Sequence, residues 1–138
     1  MNIRLADNQD TASLVEFNQA MALETEHKTL NPAVVQAGVL AVLNEARRGF
    51  YLVAERGGEL LGGLMITYEW SDWRNADFWW IQSVYVRPEA RRQGVYAALY
   101  GEIERQAQAA GACGLRLYVE NDNQAAMSTY SRLGMVDA

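Results

Sequence analysis

The chain alternates two kinds of apolar spacing. Short β-branched or aromatic runs are separated by stretches in which apolar residues return every three or four positions, the marks of strand and helix respectively. Asn2–Leu5 predicts a short opening strand. Asp10 follows as a candidate N-cap for a helix whose apolar positions Leu14, Phe17 and Met21 keep helical spacing. Asn31-Pro32 joins a cap to a proline at the first helical position, and Val35, Val39, Val42 and Ala46 line one side of a helix ending near Gly49. Phe50–Glu55 and Leu60–Tyr68 predict two strands around Gly57-Gly58, a hairpin signal. Trp70–Ala76 reads as a polar-aromatic connection and Phe78–Val86 as the next strand. Val95, Leu99, Ile103 and Ala107 recur every four residues, giving a helix that runs to Gly111. Leu115–Val119 is a short strand, Asn121-Asp122-Asn123 a turn and cap, and Ala125–Leu133 a last helix before Gly134. No repeat, linker or low-complexity segment interrupts the pattern. It predicts one α/β domain over residues 1–138 with a mixed sheet, in the order β-α-α-β-β-β-α-β-α.

Composition narrows the function classes. Half of the 138 residues are apolar and 21% are charged, ordinary for a soluble globular chain. The net charge of -5 argues against non-specific attraction to nucleic acid or an anionic membrane. Cys113 is the one cysteine, which excludes an internal disulfide and a cysteine-based metal cage, and no metal is expected. No apolar run approaches the roughly 18–20 residues of a membrane span, and the N-terminus lacks a signal-peptide core, so a cytoplasmic location is the expectation.

The chemistry concentrates in residues 84–99. A β-branched and aromatic run stops at Arg87-Pro88, a short basic loop with one glycine comes next, and a helical pattern begins at once. A strand feeding a tight loop that opens a helix aims several unpaired N–H groups and the helix dipole at one spot, which suits a phosphate. Arg91 and Arg92 stand out there as a basic spot on an acidic body. Gly94 lets a backbone approach a pyrophosphate closely, and amides near Gln93, Gly94, Val95 and Tyr96 would each offer a charge-assisted hydrogen bond worth about 1.5–3 kcal/mol. The competing reading is a plain strand-to-helix connection with a solvated arginine pair. No Gly-x-x-x-x-Gly-Lys-Ser/Thr or Gly-x-Gly-x-x-Gly pattern supports a nucleotide binder of another α/β type.

Order and motif together resemble the GNAT superfamily of N-acetyltransferases over nearly the whole chain. The family's cofactor loop, Gln/Arg-x-x-Gly-x-Gly/Ala, is matched by Arg91-Arg92-Gln93-Gly94-Val95-Tyr96 after Val84-Tyr85-Val86-Arg87-Pro88. A second signature is matched by Asn123 and Tyr130-Ser131-Arg132-Leu133-Gly134-Met135. Tyr96 departs from the family's second small residue, so either the phosphates shift or the ring turns outward. The resemblance implies acetyl-CoA bound between two splayed parallel strands, Phe78–Val86 and Leu115–Val119, with pantetheine amides paired to backbone at Val84 and Val86. It implies direct attack of an acceptor amine on the thioester, with the Val84 N–H polarising the carbonyl. It also implies Tyr130 as proton donor to the leaving thiolate; a tyrosine of pKa about 10 facing a thiol of about 8.5 donates uphill by roughly 2 kcal/mol unless tuned.

The base is where this sequence leaves the family pattern. Relatives place a Glu on the strand before the loop, and the matching position here is Gln82, which cannot take a proton. Glu69, Asp72 and Glu120 are substitutes, through water or directly, and each also reads as a solvated surface charge; His27 is the one histidine. Trp70, Trp73, Trp79 and Trp80 cluster with Tyr68, Glu69, Asp72 and Asp77, a mixture that holds a cation or else packs in a core or dimer contact. Trp70, Asp72, Trp73 and Gln82 are accordingly the candidate acceptor contacts. Trp79 and Trp80 face opposite sides of a strand, so at most one of them lines a site. The family normally continues into one or two more strands, whereas this chain stops at Ala138, and an uncovered strand edge invites a homodimer. The expected function is acetyl transfer from acetyl-CoA to a primary amine of a small molecule or an exposed lysine; the alternative is a non-catalytic acyl-CoA sensor.

Overall fold

The computed structural model describes residues 1–118 and 132–134. One five-stranded sheet in the order β1-β2-β3-β4-β5 organises them. Its strands are β1 (Asn2–Leu5), β2 (Phe50–Arg56), β3 (Glu59–Ser71), β4 (Ala76–Val86) and β5 (Gly114–Leu117). The first four run antiparallel to their neighbours, and β5 pairs parallel to β4. Among the described residues, three helices cover the sheet: α1 (Thr11–Glu26), α2 (Pro32–Asn44) and α3 (Val95–Ala110).

Strand alternation sorts the core into two layers. Leu52, Leu64, Ile66, Trp79, Ile81 and Val86 pack against Val95, Leu99, Ile103 and Ala107, so the four-residue recurrence is the buried stripe of α3. Tyr51, Val53, Leu60 and Tyr85 point to the other side and meet Leu14 and Phe17 of α1 and Val39 of α2.

Several predicted boundaries move. The hairpin of β3 and β4 continues to Ser71 and resumes at Ala76, so the polar-aromatic connection shrinks to residues 72–75. Cross-strand pairs such as Glu69↔Phe78 and Trp70↔Asp77 continue the ladder into a segment that its polar residues disguised. The second helix stops at Asn44 rather than near Gly49, and the strand expected at Leu115–Val119 is described over Gly114–Leu117. Asp10 does not cap α1 with its side chain. Instead, Asp7 caps a short 3-10 turn ahead of the helix, while Asp10 turns inward to Arg4. Of the expected cap and the expected last helix at Ala125–Leu133, residues 121–131 lie outside the described residues.

Candidate active site

A break in strand pairing builds the centre of the site. Between β3 and β4 the register runs Met65↔Ser83 and then Ile66↔Ile81, leaving Gln82 as an extra residue. Such a bulge bends its strand and re-aims the side chains beyond it. The last pair joining β4 to β5 is Ile81↔Leu117, at the same level. Beyond it, residues 82–86 of β4 pair with no strand on the β5 side among the described residues, so β4 runs on past the described end of β5 as the longer tine of a fork.

The polarity of that free edge follows from one hydrogen bond. The Arg87 N–H donates to the Leu61 carbonyl at 2.8 Å, which turns Arg87 toward β3. Alternation in an antiparallel ladder then turns Tyr85 toward β3, and Val84 and Val86 toward the fork. The Val86 carbonyl confirms the direction, since it accepts from Arg91 Nε at 2.9 Å rather than from β3. The backbone groups of Val84 and Val86 therefore point to the β5 side of β4. Val84 and Val86 direct their side chains to the α3 core.

The basic loop closes the open end of the fork. Arg92 and Gly94 both take left-handed backbone conformations, with φ of 63° and 82°. These two reversals allow the chain to leave the 3-10 turn at Pro88–Ala90 and enter α3 within a few residues. Gly94 is the N-cap of α3 and supplies no side chain to its first-turn amides. A Cβ at Gly94 would meet no protein atom within 4 Å, so open space adjoins those amides. Val95 anchors the start of the helix in the core, while Tyr96 is 36% exposed. Burial raises the pKa of the Tyr96 hydroxyl; Arg91 opposes the shift and Glu24 adds to it. Gln93 donates to the Glu89 carbonyl at 3.0 Å and accepts from Arg56 at 3.3 Å.

Two arginines bolt this loop to α1 in the same manner. Arg87 Nε donates to the Leu60 carbonyl at 2.7 Å, its Nη1 reaches Glu16 at 2.7 Å, and its guanidinium lies over Phe17. Arg91 Nε donates to Val86, its Nη2 reaches Glu24 at 3.0 Å, and its guanidinium lies over Tyr85. Phe17 and Tyr85 themselves pack at 5.3 Å between centroids. The charge of Arg91 is thus spent on Glu24, and Arg92 is the loop arginine that forms no ion pair among the described residues. Sequence reasoning missed Glu16 and Glu24. Their partners lie 71 and 67 residues away, and no local signal announces the pairing.

The remaining candidates fall in different places. Gln82 Nε2 donates to Thr67 Oγ1 at 2.8 Å on the exposed face of the sheet. Glu69 shares that face, and its Oε1 accepts from Trp80 Nε1 at 2.8 Å and from Arg116 Nη1 at 3.0 Å. Trp70 lies on the opposite face, and Asp72 and Trp73 sit in the turn that closes the hairpin. Trp79 is buried and packs edge-on against the half-buried Phe50 and the more exposed Tyr68. His27 ends α1 in a left-handed conformation at the surface. The tryptophan cluster therefore divides between two faces and a tip. Glu120, Asn123 and Tyr130 lie outside the described residues.

The free edge of β4 and the glycine-capped start of α3 fall on the residues that carry the sequence motif. The family model described as "Acetyltransferase (GNAT) family" matches residues 14–135. The chain belongs to this family. A curated relative, "Acetyltransferase SG1711" of Sodalis glossinidius, is 34% identical over 83 residues, which cover 60% of this chain and 54% of the relative. The chain thus matches about half the length of that relative. The crystal structure of "a possible acetyltransferase from Clostridium difficile 630" superposes with a TM-score of 0.94 at 41% identity, over 99% of this chain and 91% of that one. A ribosomal-protein-alanine N-acetyltransferase from Brucella melitensis shares the fold at a TM-score of 0.81 and 15% identity, over 99% and 94% of the two chains. GNAT membership and the mixed α/β fold are therefore shown. No helix among the described residues is long and apolar enough to cross a membrane.

Proposed function

We propose that the protein transfers an acetyl group from acetyl-CoA to a primary amine by direct attack. The observation that carries this reading is the convergence of the fork, with its Val84 and Val86 amides, on the uncapped start of α3. These groups fit the cofactor's chemistry. The pantetheine arm carries amides that pair with a free strand edge, and the pyrophosphate suits helix-terminal N–H groups beside a glycine. Bound acetyl-CoA supplies an activated thioester. Within this reading the Val84 N–H donates to the oxygen that gains charge, and Val86 holds the arm. The amides of Gln93, Gly94, Val95 and Tyr96 hold the phosphates, with Arg92 adding charge. Tyr130 keeps the proton-donor role, and Asn123 the cofactor-binding role, that the family motif implies.

Proton removal from the acceptor falls to water. Glu69 already accepts two donors at one oxygen, and Gln82 has no basic lone pair at neutral pH. The same two facts favour one other reading, a domain that binds acyl-CoA without turnover. Titration calorimetry with acetyl-CoA, using Gly94→Glu as control, tests the cofactor site first. Saturable binding that the variant loses by at least about tenfold is the expected result, because a carboxylate would then occupy the phosphate seat. Absence of binding by the unaltered protein overturns both readings. Binding without thiol release on any amine leaves the sensor.

A further inference from the structure

Beyond the reach of α1 and α2, the sheet presents a second cluster that the cofactor site does not use. Cross-strand register places Glu69 beside Phe78 and Trp80 beside Arg116 on one face, and alternation adds Tyr118 just past the end of β5. The Arg116 guanidinium lies 3.6 Å from the Phe78 ring centre while donating to Glu69. Trp80 and Tyr118 stack at 5.1 Å with 27° between their planes, and Tyr118 is 88% exposed.

This arrangement changes what the aromatic and acidic residues can recognise. A box of rings and one carboxylate would hold an ammonium ion, but here the box already contains its cation, Arg116. The ion pair leaves little net charge to attract a second one. What remains open is flat surface, the outer face of the exposed Tyr118 ring, which stacks on arenes. The shelf is also close to the fork. Trp80 precedes Gln82 by two strand residues, about 7 Å.

We propose that this shelf is the acceptor subsite and that it selects a flat aromatic amine, its ring on Tyr118 and its alkylamine arm reaching the fork at Gln82. The chemistry of the transfer rests on the acetyl-transfer reading. The neutral amine, after losing a proton to water, forms the new C–N bond to the acetyl carbon. The C–S bond breaks, the thiolate leaves, and the second amine proton passes to solvent.

The test compares 2-phenylethylamine with 2-cyclohexylethylamine, two primary amines of equal carbon count of which only the first is flat. Their dissociation constants are measured on the protein saturated with coenzyme A, and thiol release is followed with acetyl-CoA. Both are repeated in Tyr118→Leu, a substitution at an exposed position with the melting temperature as its folding control. The aromatic amine is expected to bind about three- to tenfold more tightly, and the variant to bring the ratio near one. Equal or better binding of the cyclohexyl amine, binding of neither, or a ratio that survives in the variant overturns the proposal. An aromatic preference in binding without thiol release from either amine keeps the shelf and removes the transfer reading. Equal thiol release from both amines does the reverse.

Discussion

Asp10 is 7% exposed and charged, a combination that needs partners. It has them: Arg4 meets both carboxylate oxygens at 2.8 and 2.9 Å, and the Asp7 N–H donates at 2.9 Å. Arg4 holds the Asp10 carboxyl below the usual carboxylate range, more than burial raises it. Asp10→Asn should therefore lower stability by about 1.5–3 kcal/mol at neutral pH, the worth of hydrogen bonds to a charged group. A depressed folded pKa adds stability that is complete above the unfolded value near 4 and is lost as pH falls through the folded value. Urea titrations across pH should show the gap between protein and variant constant from pH 7 to about 5 and closing in stronger acid. A gap that persists at pH 2 would mean that shape, not charge, sets the cost. Sequence pattern alone placed Asp10 at a helix start but assigned it the wrong task. Local spacing identifies a capping residue type, whereas the choice between Asp7 and Asp10 depends on where Arg4 of a neighbouring strand arrives.

Elements, by contrast, were largely legible, because burial imposes periodicity. The α3 stripe comes from one-sided contact with a core and the unbroken apolar run of β2 from burial on both faces, and the pattern located them to within a residue or two. The outer end of the β3–β4 hairpin, residues 69–71 and 76–77, was not legible, since polar residues at 69, 71, 72 and 77 cancel the alternation there. The bulge at Gln82 was equally hidden: it shifts parity from Trp79 and Ile81 to Val84 and Val86 without a glycine or proline to mark it. The motif singled out the basic loop before α3, but the clamps from Glu16 and Glu24 depend on chain folding at long range. Close approach of β3 to β4 opposite the fork yields a test at this scale. A Cβ on Gly62 would stand 2.5 Å from the Tyr85 carbonyl oxygen and 3.1 Å from the Val86 Cα, both backbone atoms. Gly62→Ala must part the strands and should cost about 1–3 kcal/mol or more. Gly101→Ala, in α3 with no atom within 4 Å of the new methyl, should gain about 0.4–1 kcal/mol. Thermal unfolding of the two variants checks the contrast, and a neutral Gly62→Ala would show that the strands have slack opposite Val86.

At the scale of the molecule, the charge distribution opposes the function it is proposed to serve. The chain carries -5, and its proposed cofactor is itself a polyanion, so the average field repels it. Binding then depends on a local reversal of sign. Arg87 and Arg91 contribute little to that reversal, because Glu16 and Glu24 neutralise them in fastening the loop. The α3 dipole and Arg92 remain. Arg92 holds a left-handed backbone to stand there, at a cost of about 1–2 kcal/mol for an L-residue. Reversing one charge near phosphates in water changes the interaction by about 1–2 kcal/mol, so Arg92→Glu should weaken acetyl-CoA binding by about tenfold at low salt. Raising the salt to 1 M, where the screening length is about 3 Å, should close most of that gap. Calorimetry at two ionic strengths checks it. A salt-independent loss would instead assign Arg92 to the shape of the loop, leaving the helix start as the source of positive potential. The same experiment on Arg92→Gly, which relieves the backbone without adding a negative charge, separates the two contributions.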